Sequence, residues 1–74
     1  MKFVSLTGTV FEGNTPTEVL LQIRNDFCYG AEMKVFLDRF ACHLNTHYQI
    51  SITTRDPDEV LEQLLDQAYL LKIN

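Results

Sequence analysis

Four side chains in this sequence could bind a soft metal ion or act as a nucleophile, and they are Cys28, Cys42, His43 and His47. His43 and His47 are four residues apart, so they can share one face of a helix, as zinc-binding pairs do. The two thiols are fourteen residues apart, and the chain has no short Cys-x-x-Cys motif. This spacing matches none of the usual zinc patterns. We therefore predict no metal site and no cofactor.

Catalysis by a cysteine requires an imidazole within hydrogen-bond reach of the thiol. Cys42 and His43 are neighbours in sequence, but consecutive side chains on a helix point roughly 100° apart. Gly8 and Gly13 do not form a phosphate-binding loop either, because no glycine-rich run with a following Lys-Ser/Thr is present and there is no dinucleotide fingerprint. The sequence thus predicts a protein that is not an enzyme.

Five of the ten acidic residues lie within positions 56–66, where there is no basic residue: Asp56, Asp58, Glu59, Glu62 and Asp66. On a helix, Glu59, Glu62 and Asp66 would form one stripe. One interpretation is a solvated outer face whose first-turn acids complement the helix dipole. The other is a docking surface for a basic partner, including a site that normally holds nucleic acid.

A second candidate surface consists of apolar residues with an arginine between them, away from the predicted core. On the middle helix it comprises Val35, Arg39 and Cys42, and Leu21 and Cys28 flank an arginine in the same way on the first helix. Arginine beside apolar side chains is typical of protein interfaces. Alternatively, the two helices simply pack side by side.

Composition limits the classes of protein that this chain can belong to. Its 74 residues are 46% hydrophobic and 22% charged, which predicts a single globular domain over residues 1–74 with too small a core for a deep cleft. The net charge of −4 opposes binding to phosphate backbones, so we expect no direct nucleic-acid binding.

No apolar run reaches the length of a signal peptide core or a membrane span. The two cysteines are too few to indicate a disulfide framework. We expect a cytoplasmic protein without membrane contact, either a monomer or a homodimer.

The elements that position these residues begin with a hairpin. Residues 2–12 contain two β-rich runs on either side of Gly8, which favours a tight turn. With Thr7 and Gly8 as a two-residue loop, Val4 is predicted to lie opposite Phe11.

Three helices follow from their capping residues and from apolar spacing. The first begins at Pro16, with Thr15 as its N-cap, and ends before Gly30. The second covers about residues 32–45, and its core face is Met33, Phe36, Leu37, Phe40, Ala41 and Leu44. The third begins at Pro57 after the cap Asp56, with a core face of Val60, Leu61, Leu64, Leu65 and Ala68.

Residues 48–54 alternate apolar and polar side chains around Ile50 and Ile52, which predicts a half-buried third strand beside the hairpin. The tail, residues 69–74, either continues the third helix or leaves it as a short edge strand. The predicted fold is α+β in the order ββααβα, with a three-stranded, mainly antiparallel sheet and three helices packed on one face.

The order of elements resembles that of small uncharacterised proteins from phages and mobile elements. The residues that carry the resemblance are Gly8, Glu12, Gly13, Thr15, Pro16, Glu18 and Val19, followed by Ile50, Ile52, Leu61, Leu64 and Leu65. The resemblance implies a phage or mobile-element context, in which small acidic proteins inhibit host defence machinery, anti-CRISPR proteins among them.

Taken with the acidic helix, this predicts a non-enzymatic protein–protein interaction module. Its partner would have a basic surface, as a host defence nucleoprotein complex does, and would contact Asp56, Asp58, Glu59, Glu62 and Asp66. The alternative is a small structural or assembly protein that self-associates through Val35, Arg39 and Cys42.

Overall fold

The computed structural model describes residues 1–73. The elements are, in chain order, β1 (Lys2–Ser5), β2 (Val10–Glu12), α1 (Pro16–Phe27), α2 (Met33–Tyr48), α3 (Pro57–Asp66) and β3 (Leu70–Lys72). The strands form one antiparallel sheet in the order β2-β1-β3. The predicted α+β class, with a three-stranded antiparallel sheet and three helices, is confirmed.

The hairpin of β1 and β2 is present, but its register differs by one residue from the prediction. Val4 lies opposite Val10 rather than opposite Phe11. The reason is the loop, which has three residues, 6–8, instead of two, and Gly8 takes a φ of +88° at its end. Three-residue hairpin loops commonly end on such a left-handed residue.

The sheet has one buried face and one open face. Phe3, Phe11 and Leu70 point into the core, whereas Val10 and Leu71 are exposed on the opposite side. On the buried side, α1 packs against β2, and α3 packs against β3. The remaining helix, α2, packs against α1. Its aromatic side chains complete the core.

The predicted start of α1 is confirmed. The Thr15 hydroxyl accepts a hydrogen bond from the amide of Glu18 at 3.2 Å, and the Glu18 carboxylate accepts one from the amide of Asn14 at 3.3 Å. Gly13 lies so close to this turn that a Cβ at its position would be 2.8 Å from the Cβ of Glu18. A glycine is therefore required where the chain enters the helix.

The core face predicted for α2 is confirmed, since Phe36, Phe40 and Leu44 are fully or almost fully buried. The helix is longer than predicted, however, and ends at Tyr48, followed by Gln49 in the left-handed region at φ 54°. It therefore takes up the first residue of the predicted third strand.

The prediction of a strand over residues 48–54 is wrong. After α2 the chain is irregular until α3, and the third strand is instead the tail, where β3 pairs with β1 and Leu71 lies opposite Val4. The observed order is ββαααβ rather than ββααβα. Of the two alternatives for the tail, the edge strand is confirmed.

The irregular segment runs along α3, and glutamine side chains satisfy its backbone. The Ser51 amide donates to Gln67 Oε1 at 2.9 Å, and Gln67 Nε2 donates to the Ser51 carbonyl at 2.7 Å. Two residues further on, the Thr53 amide donates to Gln63 Oε1 at 3.0 Å. Two residues of extended chain span ~6.6 Å, and four residues of a helix span ~6 Å. The spacing of Ser51 and Thr53 therefore matches that of Gln67 and Gln63.

The helix α3 begins as predicted but ends earlier. Val60, Leu61 and Leu64 are buried, whereas Ala68, which was predicted to belong to the core face, lies beyond the helix and is exposed. Ala68 has a φ of 60°. Its left-handed conformation turns the chain from the helix into β3.

Candidate interaction surfaces

Acidic side chains of α3 line a shallow groove beside the irregular segment. We call this the acidic groove; it has a volume of about 470 Å³ and is lined by Thr53, Thr54, Glu59, Glu62, Gln63 and Asp66. The groove thus contains the whole predicted stripe of Glu59, Glu62 and Asp66. Asp56 and Asp58, at the start of the helix, do not line it.

Two of the acidic residues have partners within the protein. Asp56 is the N-cap of α3, and its carboxylate accepts from the Glu59 amide at 3.4 Å. The Glu59 carboxylate in turn accepts from the Thr54 hydroxyl at 2.8 Å. These contacts fix the beginning of the helix, so the two carboxylates have a structural role.

Glu62 and Asp66 differ from that pair. Both are exposed, and within residues 1–73 neither makes a hydrogen bond or an ion pair. The salt bridge found within residues 1–73 joins Arg55 Nε to Asp38 Oδ1 at 2.8 Å, and it involves neither Glu62 nor Asp66. The negative charge of Glu62 and Asp66 is therefore open to a partner.

The second candidate surface lies on the outer side of α2. Val35 is 40% exposed, and Arg39 and Cys42 are exposed on the same helix. Arg39 Nη1 lies 3.8 Å from the sulfur of Cys28, which is half-buried against the core. Cys28 thus packs against the protein's own core, whereas Val35, Arg39 and Cys42 face outward.

The imidazoles form a surface cluster with aromatic side chains. The ring centroids of His43 and His47 are 4.5 Å apart, and that of Phe27 is 5.1 Å from His43. Both thiols are free, and among residues 1–73 no hydrogen bond joins a thiol to an imidazole. In the same part of the chain, no three or more His, Cys, Asp and Glu side chains come close enough to hold a metal ion.

Tyr69 closes the cluster on the core side. Its ring packs edge-on against Phe40 and Tyr48, at 5.6 and 5.8 Å between centroids. Burial raises the pKa of the Tyr69 phenol, and the nearby charges of Tyr48 and Asp26 raise it further. The phenol therefore stays neutral and serves packing.

Sequence reasoning did not single out Gln63, which holds Thr53 in the wall of the acidic groove, or Gln67, which holds Ser51 next to it. Their spacing of four residues on the exposed side of a helix was a visible signal. The sequence did not reveal that an irregular segment, whose backbone pairs with no strand, lies next to these two glutamines.

Scans against family models, curated proteins and solved structures return no match to this chain. Among the described residues, none of the helices has the length and apolar character needed to cross a membrane.

Proposed function

We propose that this protein is a non-enzymatic binding module that captures a partner with a basic surface through the acidic groove. The observation that carries the proposal is that Glu62 and Asp66 are exposed and make no ion pair among residues 1–73. Concentrated charge of one sign steers an oppositely charged partner and speeds its association.

The walls of the acidic groove support the proposal because they are held in place before binding. Gln63 Nε2 donates to the Thr53 hydroxyl at 2.7 Å, and the Thr54 hydroxyl holds Glu59. A preformed surface loses less conformational entropy when a partner binds. The resemblance to phage and mobile-element proteins suggests a host defence nucleoprotein complex as the partner, since such complexes carry basic surfaces.

The test is capture of partners from a host lysate with matched charge variants. The groove variant carries Glu62→Lys and Asp66→Lys, which leave Asp56 and Glu59 in their structural contacts. The control variant carries Glu12→Lys and Glu32→Lys, which change the net charge equally at exposed sites outside the groove. We expect the control to retain the captured protein and the groove variant to lose it. If both variants retained the captured protein equally, the acidic groove would not be the binding surface.

A second candidate function is self-association through Val35, Arg39 and Cys42. It is favoured by an apolar side chain, a thiol and a guanidinium that all face outward on α2. In that case light scattering at tens of micromolar should give the mass of a dimer, and Val35→Asp with Arg39→Glu should give that of a monomer. A wild-type monomer at the same concentration would exclude this candidate.

A further inference from the structure

His43 and His47 lie one turn apart on the same face of α2, with ring centroids 4.5 Å apart and ring planes inclined by 46°. Within residues 1–73 neither imidazole makes a hydrogen bond. Their nitrogens are therefore not engaged by the protein's own donors and acceptors. The fold brings together two good ligands for a borderline metal ion and gives them no other polar partner.

The distance between the rings agrees with shared coordination. A zinc–imidazole bond is about 2.0–2.1 Å long, and the ring centre lies about 1.1 Å beyond the nitrogen. Two imidazoles on one ion, at an angle of about 90–109°, then have centres about 4.5–5.2 Å apart. The observed separation lies at the lower end of this range.

Neighbouring rings pack against His43, and the helix end at His47 favours a cation. His43 is half-buried, with the rings of Phe27 and Tyr48 at 5.1 and 6.0 Å from its own. His47 is exposed and lies in the last turn of α2, where the negative end of the helix dipole stabilises positive charge.

We propose that His43 and His47 form a binding site for Zn²⁺, with water in the remaining coordination positions. Imidazole suits zinc, as it does copper, nickel and iron, whereas magnesium and calcium prefer oxygen ligands. No metal was predicted from the sequence because a short cysteine motif is absent, and this site uses no cysteine. Since no group of three or more ligands forms among residues 1–73, the ion is held by two side chains, at the surface. The proposal is independent of the acidic groove.

The test is a titration of the full chain with ZnCl₂, followed by calorimetry and by the NMR signals of the two imidazoles. We expect saturable binding of one ion, and no binding of Mg²⁺ at the same concentrations. His47→Gln should weaken Zn²⁺ binding at least about tenfold, and so should His43→Gln. Circular dichroism checks that each variant is folded.

Two control variants separate this site from other sources of zinc binding. Asn45→His combined with His47→Gln keeps two histidines but places them about 200° apart around the helix, so binding should be lost. Cys28→Ser with Cys42→Ser should leave the affinity unchanged. Failure of the wild type to bind Zn²⁺, or affinity that survives in both single histidine variants, would overturn the proposal.

Discussion

At the scale of single residues, the five acidic side chains near α3 differ in their partners. Asp56 and Glu59 accept hydrogen bonds at the start of the helix. Asp58, Glu62 and Asp66 accept none within residues 1–73. The sequence could predict the cap, because Asp before Pro is a common helix start. The sequence could not distinguish Glu59 from Glu62. The partner of Glu59 is Thr54, which belongs to the irregular segment, and the position of that segment depends on the tertiary structure.

Ala68 is one of two non-glycine residues among positions 1–73 with a left-handed backbone, the other being Gln49. Ala68 has a φ of 60°, and the amides of Ala68 and Tyr69 donate to the carbonyls of Leu65 and Leu64 at 3.1 and 2.9 Å. This is the bonding of a helix end that usually has glycine at the left-handed position. An L-residue there costs about 1–2 kcal/mol.

We therefore predict that Ala68→Gly raises the free energy of unfolding by about 0.5–1 kcal/mol, the gain being reduced by the greater entropy of glycine in the unfolded chain. Urea denaturation measures it. The matched control is Ala31→Gly, at a residue that does not have a positive φ, which should not stabilise the protein. If Ala68→Gly were no more stable than the wild type, the strain assigned to this position would be absent.

At the scale of elements, glutamine side chains satisfy backbone amides that have no neighbouring strand. Gln67 and Gln63 do so for Ser51 and Thr53. On the other side of the molecule, Gln22 Oε1 accepts from the amide of Glu12, at the outer edge of β2, at 2.9 Å. Such side chains cover an edge that could otherwise pair with another chain.

This arrangement explains why the third strand was predicted in the wrong place. The alternation around Ile50 and Ile52 is real, since Ile50 is buried and Ile52 is half-buried, whereas Ser51 between them is exposed. Alternation reports which side chains face the core, but not what the backbone pairs with. The place beside β1 is taken by the tail, because the turn at Ala68 directs the chain back to the sheet.

We predict that the two glutamines act locally and separately. Gln67→Ala should speed hydrogen exchange of the Ser51 amide roughly fivefold, because a hydrogen bond of this kind contributes about 1 kcal/mol. Gln63→Ala should have the same effect on Thr53. Each variant is the control of the other, and NMR-detected exchange measures both. Unchanged exchange at both amides would show that the segment is held by its apolar contacts alone.

At the scale of the whole molecule, the sequence predicted what depends on local chemistry and periodicity. The helix starts at Pro16 and Pro57, the core face of α2 and the presence of the hairpin are all confirmed. The hairpin register, the end of α2 and the order of the last elements were wrong or incomplete. They depend on a left-handed residue or on a tertiary partner, which neither composition nor periodicity reveals.

The proposed binding surface depends on where the negative charge of the molecule lies. The net charge is −4, and the carboxylates of Glu62 and Asp66 both line the acidic groove without an ion pair among residues 1–73. An electrostatic binding surface of this kind should lose affinity as salt screens its charges.

The most direct measurement is the affinity of the captured partner for three proteins at low and at physiological salt: the wild type, the variant with Glu62→Lys and Asp66→Lys, and the control with Glu12→Lys and Glu32→Lys. We predict that the groove variant binds roughly tenfold or more weakly and loses most of the salt dependence, whereas the control resembles the wild type. Equal affinity and equal salt dependence of all three proteins would contradict the assignment of the acidic groove as the binding surface.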